Sequence, residues 1–167
     1  MSYKIWFQAY LKHPLRLGAL FPSSSALGSL MVKHINADIN GHILELGPGT
    51  GSFTRALLRK GISEENLVLV EQSQEFTTLL KSFFPKATVI CGDAKDLSHI
   101  ASELGIEWFN EIVSGLPLNA MRDKQRQAIC NDGFRALKPG GSIVQVSYFP
   151  RCSIPNTIIS LIYILKK

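Results

Sequence analysis

Apolar positions change their spacing several times along the chain, and each change predicts an element. Over Tyr3–Leu11 they recur with a helical period, and His13-Pro14 ends that helix, because proline pushes the residue before it out of the helical region. Pro22-Ser23-Ser24-Ser25 supplies an N-cap for a helix to about His34, with Leu27, Leu30, Met31 and His34 on one face. Short, continuous apolar runs then alternate with amphipathic stretches. The runs predict strands at His42–Leu46, Leu67–Glu71, Ala87–Cys91, Asn110–Ser114 and Ser142–Phe149. The stretches between them predict helices over Phe53–Lys60, Glu75–Phe84 and Asp123–Leu137, with Lys138-Pro-Gly-Gly as a turn. Alternation of this kind predicts an α/β fold with a mostly parallel central sheet and helices on both faces. Thr157–Lys167 reads as one last apolar element with a charged end.

Length limits this pattern to one domain. The 167 residues are enough for a sizeable core and too few for two ordinary ones. Within it, residues 1–35 form a helical segment and 41–150 the main α/β body. No window reaches the ~20 apolar residues of a membrane-spanning helix, and Lys12, His13, Pro14 and Arg16 interrupt any signal-peptide core. Cys91, Cys130 and Cys152 are widely spaced and read as reduced core thiols of a cytoplasmic protein. His13, His34, His42 and His99 lie at no metal-ligand spacing, so no metal is expected.

Charge adds a partner class. All 13 acids lie between Asp38 and Asp132, whereas residues 1–33 and 138–167 each carry four bases and no acid. Basic ends on a mildly acidic body fit an anionic partner, a membrane surface or a nucleic acid. The predicted first helix sets Ile5, Trp6, Phe7 and Tyr10 beside Lys4, Lys12 and Arg16, the mixture an interfacial helix requires.

The candidate chemistry starts at Ile43-Leu-Glu-Leu-Gly-Pro-Gly-Thr-Gly51, a strand running through Gly47, Gly49 and Gly51 into a helix. Its third glycine comes one residue too early for a dinucleotide fingerprint. The spacing, with Glu45 before it, is similar to the first motif of S-adenosylmethionine-dependent methyltransferases. Glu71 ends the next strand, where a carboxylate can accept both hydroxyls of a ribose, and Gly92-Asp93-Ala94 follows the third. In that superfamily an acid at the Asp93 position meets the adenine amino group and the amide after it a ring nitrogen. The fourth strand ends in Ser114-Gly115-Leu116-Pro117-Leu118. Its carbonyls could orient a substrate amine, and Leu118 stands where amino-group methyltransferases often carry an aromatic.

Phe7–Ser25 with its Gly-Ala-x-x-Pro-Ser-Ser segment, the glycine loop and Ser114-Gly-Leu-Pro together resemble bacterial phospholipid N-methyltransferases, over residues 5 to 155. These convert phosphatidylethanolamine stepwise towards phosphatidylcholine and are cousins of the ribosomal RNA adenine dimethylases. The resemblance implies a Rossmann-like methyltransferase fold whose β6–β7 hairpin is missing here. It implies S-adenosyl-L-methionine as cofactor, held by Glu45, Gly47, Gly49, Gly51, Glu71, Gln72, Asp93, Ala94 and Ser114. It further implies an amine-orienting loop of Ser114, Gly115, Leu116 and Pro117, with Tyr10, Pro117 and Tyr148 towards the substrate. Lys4, Trp6, Phe7, Lys12 and Arg16 would sit on anionic membrane, making the protein cytoplasmic and peripherally membrane-associated, and Pro22–Ser25 would help cover the cofactor. Two other readings stay open: a ribosomal RNA adenine dimethylase, which the basic ends favour and Leu118 disfavours, and a non-catalytic cofactor- or membrane-binding module.

Overall fold

The apolar runs pair into one six-stranded sheet. The computed structural model describes residues 24–36, 40–146 and 162–166; for Ser24–Ala26, Ala120 and the last strand it describes the backbone only. In chain order the elements are α1 (Ser24–Met31), β1 (Ile43–Leu46), α2 (Ser52–Arg59), β2 (Leu67–Glu71), α3 (Gln74–Phe83) and β3 (Thr88–Cys91). They continue with α4 (Leu97–Glu103), β4 (Phe109–Ser114), α5 (Asp123–Ala136), β5 (Leu137–Val146) and β6 (Ile162–Lys166). The sheet order is β3-β2-β1-β4-β5-β6, parallel except for β6, which runs antiparallel to β5.

Strand order reverses between β1 and β4. From β1 the chain winds outward through β2 and β3, then returns to β4 and winds the other way. Loops leaving the carboxyl ends of these two strands diverge, and the crevice between them is where open α/β sheets bind ligands. In register, Leu46 at the end of β1 lies beside Val70 of β2 and Ser114 of β4.

The two sheet faces build separate cores. On one, Ile43, Leu67, Leu69, Val113 and Val144 pack against Met31 of α1, Ala56 and Leu57 of α2 and Leu80 of α3. On the other, Leu44, Leu46, Val68, Val70, Ile112 and Ile143 pack against Leu97 and Ile100 of α4 and Ile129 and Ala136 of α5. Both faces are covered, which is why the strands read as continuous apolar runs.

Cys91, expected in the core, is exposed, and three expected elements change. A helix absent from them, α4, fills the gap between β3 and β4. Its apolar residues Leu97, Ile100, Ala101 and Leu104 have helical spacing, but seven residues make a weak pattern. Asp132 of α5 steadies its start, accepting from Ser98 N at 2.9 Å and Ser98 Oγ at 2.6 Å. The Lys138-Pro-Gly-Gly turn is an interruption inside β5: Phe109 pairs with Leu137 and Glu111 already with Ser142, so the strand bulges out through Gly140 at φ 80°. The helix opened by the serines ends at Met31 and runs on only as tight turns, Lys33 N to Leu30 O and Ile35 N to Val32 O.

The last apolar segment holds one described strand, β6. It covers the β5 edge that would otherwise present unpaired backbone groups. No hairpin is present among the described residues after β5.

Candidate cofactor and acceptor site

Strand alternation sorts the polar groups of the site before any loop is considered. Glu45 shares the face of Ile43, and Glu71 that of Leu67 and Leu69, so both carboxylates point to the α1–α3 side. Ser114 shares the face of Ile112, and Gln145 that of Ile143, so both point to the α4–α5 side.

The glycine loop is shaped by contact as well as by its dihedrals. Gly47, Gly49 and Gly51 have φ of 64°, 56° and 79°, values that disfavour any side chain. A Cβ on Gly47 would lie 2.6 Å from Leu116 Cδ2, and one on Gly51 2.5 Å from the Phe84 ring. Gly51 N closes the turn on Pro48 O at 2.8 Å, and Gly51 O accepts from Arg55 N in the first turn of α2.

Glu71 ties three segments together. One carboxylate oxygen accepts from Gly49 N at 3.1 Å and the other from Ser73 N at 3.0 Å, while its backbone carbonyl accepts from Gly92 N at 3.0 Å. The side chain is buried. A carboxylate offers about four acceptor positions, so two remain for a diol. Ser73 N serves Glu71 while Ser73 Oγ caps α3 through Phe76 N.

Glu45 is fully enclosed. Thr54 Oγ1 donates to Oε2 at 2.7 Å, and Oε1 is buried with no partner among the described residues. Burial pushes the carboxyl up to about 7, against the opposing pull of the Thr54 hydrogen bonds and the Arg55 charge. An orphaned acidic oxygen behind the glycine loop fits a site that receives a cation.

The remaining predicted residues fall around this pair. Asp93 is half-buried after β3, where Oδ1 accepts from Lys95 N and Oδ2 pairs with Lys95 Nζ at 3.2 Å; Ala94 is half-buried beside it and Gln72 is exposed. Ser114 is buried, and Gly115 N donates to Leu46 O at 2.9 Å, so the loop after β4 starts pinned to the end of β1. A Cβ on Gly115 would lie 3.1 Å from Gly47 O, so the two loops approach tightly there. Leu116 and Pro117 are half-buried. The Leu116 carbonyl is committed inward, accepting from Leu118 N at 2.9 Å and Gln145 Nε2 at 2.8 Å, so it is not available to an amine. Leu118 is buried in the core and does not present a stacking surface. Tyr10, Tyr148, Lys4, Trp6, Phe7, Lys12, Arg16 and the Pro22-Ser23 start of the segment expected to cover the cofactor lie outside the described residues. Sequence reasoning missed Thr54 and Gln145; the only trace of Gln145 is a polar residue inside the apolar run Ile143–Val146.

Residues 43–141 match the family described as methyltransferase domain. The chain belongs to this family. It is a member of the S-adenosylmethionine-dependent methyltransferase superfamily, and its cofactor is S-adenosyl-L-methionine. The chain is 28% identical over 144 residues to an ornithine lipid N-methyltransferase of Singulisphaera acidiphila, covering 84% of this chain and 75% of that protein. It is 30% identical over 103 residues to ribosomal RNA small subunit methyltransferase A of Maridesulfovibrio salexigens, covering 62% of this chain and 38% of that protein. In fold it is similar to the glycopeptide N-methyltransferase MtfA complexed with S-adenosyl-L-methionine, with TM-score 0.61, 16% identity, and 85% of this chain and 64% of that one covered. The chain spans about half the length of other solved methyltransferases that it matches, such as CcbJ of Streptomyces caelestis, of which 51% is covered. No described helix is long and apolar enough to cross a membrane, and no three His, Cys, Asp or Glu side chains cluster as metal ligands among the described residues.

Proposed function

We propose that this methyltransferase transfers a methyl group to the amine of a membrane lipid head group. The observation that carries the methyl-donor half of the reading is the Glu71 carboxylate, buried at the end of β2 and hydrogen-bonded to Gly49 N of the glycine loop. That arrangement supports a nucleoside held across Gly47–Gly51, Glu71, Gln72, Asp93 and Ala94, with Glu45 behind the loop and Ser114 beside it. The acceptor class is supported by the relative named for an ornithine lipid. The Ser-Gly-Leu-Pro loop and the aromatic and basic first segment support a lipid amine such as that of phosphatidylethanolamine, reached from an anionic surface.

When bound, S-adenosylmethionine supplies a methyl group already activated on a sulfonium. The chain's own work is therefore positioning. Gly47 and Gly115 let the glycine loop and the acceptor loop approach each other, with the Leu116 side chain packed against Gly47. Glu71 orients the ribose, and the Ser114–Pro117 loop, apart from the Leu116 carbonyl, orients the amine. The amine must reach this loop neutral, with its lone pair free to take the methyl group, and its proton goes to solvent. In this reading Lys4, Trp6, Phe7, Lys12 and Arg16 bind the anionic membrane surface, and Tyr10 and Tyr148 contact the head group.

The test is incubation with labelled S-adenosylmethionine and vesicles holding either an ornithine lipid or phosphatidylethanolamine, with a ribosomal RNA fragment in parallel. Label in a lipid amine is the expected result, and the two vesicle arms decide between head groups. Label in RNA alone would overturn the lipid reading in favour of a ribosomal RNA methyltransferase, which the relative from Maridesulfovibrio supports. No label in any arm would favour a non-catalytic module.

A further inference from the structure

Gln145 is a buried amide in a stretch of β5 where its neighbours Ile143, Val144 and Val146 are buried and apolar. A polar side chain in such a place is costly unless it is paired. Its pairing is specific. Nε2 donates to Leu116 O at 2.8 Å and to Val146 O, while Oε1 is buried with no partner among the described residues. Ser114 lies opposite Gln145 in register, and its Oγ accepts from Leu116 N at 3.4 Å. Leu118 N closes on the same Leu116 carbonyl at 2.9 Å.

These bonds form a chain across the crevice. Gln145 holds the Leu116 backbone from β5, and the Leu116 side chain fills the space a Cβ on Gly47 would need. A strand outside the cofactor half thus reaches the glycine loop through one residue. If the amide were lost, Leu116 would keep only its local bonds to Leu118 and Ser114 and could turn outward. Gly115, still bonded to Leu46 O, would be left as the tether of that loop to β1.

We propose that Gln145 is a positioning residue for methyl transfer, its amide locking the Leu116 carbonyl inward so that the Ser114–Pro117 loop keeps one pose against Gly47. This rests on the reading that the loop presents the acceptor amine. It assigns Gln145 no contact with cofactor or substrate.

The test uses the full chain with Gln145→Met, which keeps volume and removes the donor, and Gln145→Glu, which regains a donor only when protonated. Cofactor affinity is read by calorimetry, kcat and KM with amine-lipid vesicles, and hydrogen exchange at the Gly115, Leu116 and Leu118 amides. For Gln145→Met we expect cofactor affinity within about twofold and kcat lowered roughly 10- to 100-fold, the scale of a small misplacement of reacting groups. Exchange at the three amides should quicken while Gly49 and Gly92 keep wild-type rates. For Gln145→Glu, the ratio of its kcat to that of wild type should rise as pH falls, since a protonated carboxyl can donate to Leu116 O and a carboxylate cannot. Wild-type kcat and exchange in Gln145→Met would overturn the proposal. So would activity lost only in proportion to unfolded protein, with a flat ratio for Gln145→Glu. If wild-type protein methylates no amine lipid, the lipid reading fails by itself. The exchange comparison then decides: faster exchange at 115–118 sustains the lock, and unchanged exchange removes it.

Discussion

The two halves of the sheet hold their polar groups differently. In the β1–β2–β3 half, Glu71 is held by backbone amides of Gly49 and Ser73, and the glycines that make this possible lie within five residues of one another. In the β4–β5 half, the acceptor loop is pinned at its start by Gly115 N on Leu46 O, but Leu116 beyond it is held by Gln145, 29 positions from the carbonyl it grips. Backbone donors tolerate change in the side chains around them. A single distant amide does not, and it can be re-specified by changing one residue. The difference teaches that the glycine loop is set by neighbouring backbone groups, whereas the pose of Leu116 depends on one side chain from another strand.

The largest break in that contrast is expected at Gly51. Gly51→Ala forces a left-handed φ of 79° on a residue with a Cβ and drives that Cβ into the Phe84 ring at 2.5–2.8 Å. Backbone strain of about 1–2 kcal/mol and overpacking of about 1–3 kcal/mol add up to a marked drop in thermal stability, with cofactor binding lost as well. A melt within a degree or two of wild type would show that the loop is more compliant than its packing implies.

Next is pH. The unfolded Glu45 carboxyl titrates near 4.5 and the folded one at about 7, so between those values the fold retains a proton that the unfolded chain has released. With respect to this group, stability is highest below the lower value and falls as pH rises through the upper one, by on the order of 3 kcal/mol. Glu45→Gln, neutral throughout, should flatten that slope in denaturant titrations at pH 5 and pH 8. Parallel slopes for the two proteins would mean that Glu45 stays ionised in the fold.

Glu71→Ala sharpens the comparison from the ligand side. Losing the carboxylate should weaken cofactor binding by roughly 1–3 kcal/mol, and part of that loss is the release of Gly49 N and Ser73 N from their acceptor. Calorimetry with unchanged affinity would take Glu71 out of the site.

The smallest effect is expected at Asp132→Ala, which removes the acceptor of Ser98 N and Ser98 Oγ at the start of α4. A loss of about 1–2 kcal/mol is expected, with cofactor affinity untouched. A change in affinity would show that the α4–α5 face reports to the cofactor half after all.

Particular residues explain what was legible. The strands and the glycine loop show in the sequence because burial on both faces leaves uninterrupted apolar runs and because left-handed dihedrals demand glycine at fixed offsets. Helix α4 did not show, since seven residues carry two turns of pattern and its start is steadied by Asp132 from 34 residues away. The Lys138-Pro-Gly-Gly segment reads as a turn in isolation. Only pairing with β4 on either side makes it a bulge within β5.

The sequence by itself determined the α/β alternation, the residues that line the carboxyl ends of β1, β2 and β3, and the chemistry they offer, because each is a short-range consequence of side-chain volume, charge and backbone freedom. Tertiary structure decided the rest. It turned the Leu116 carbonyl inward onto Gln145, enclosed Glu45 until its carboxyl shifted towards neutrality, buried Leu118, and placed β6 on the β5 edge. Each of these depends on which distant segments meet, and on how little water is left between them when they do.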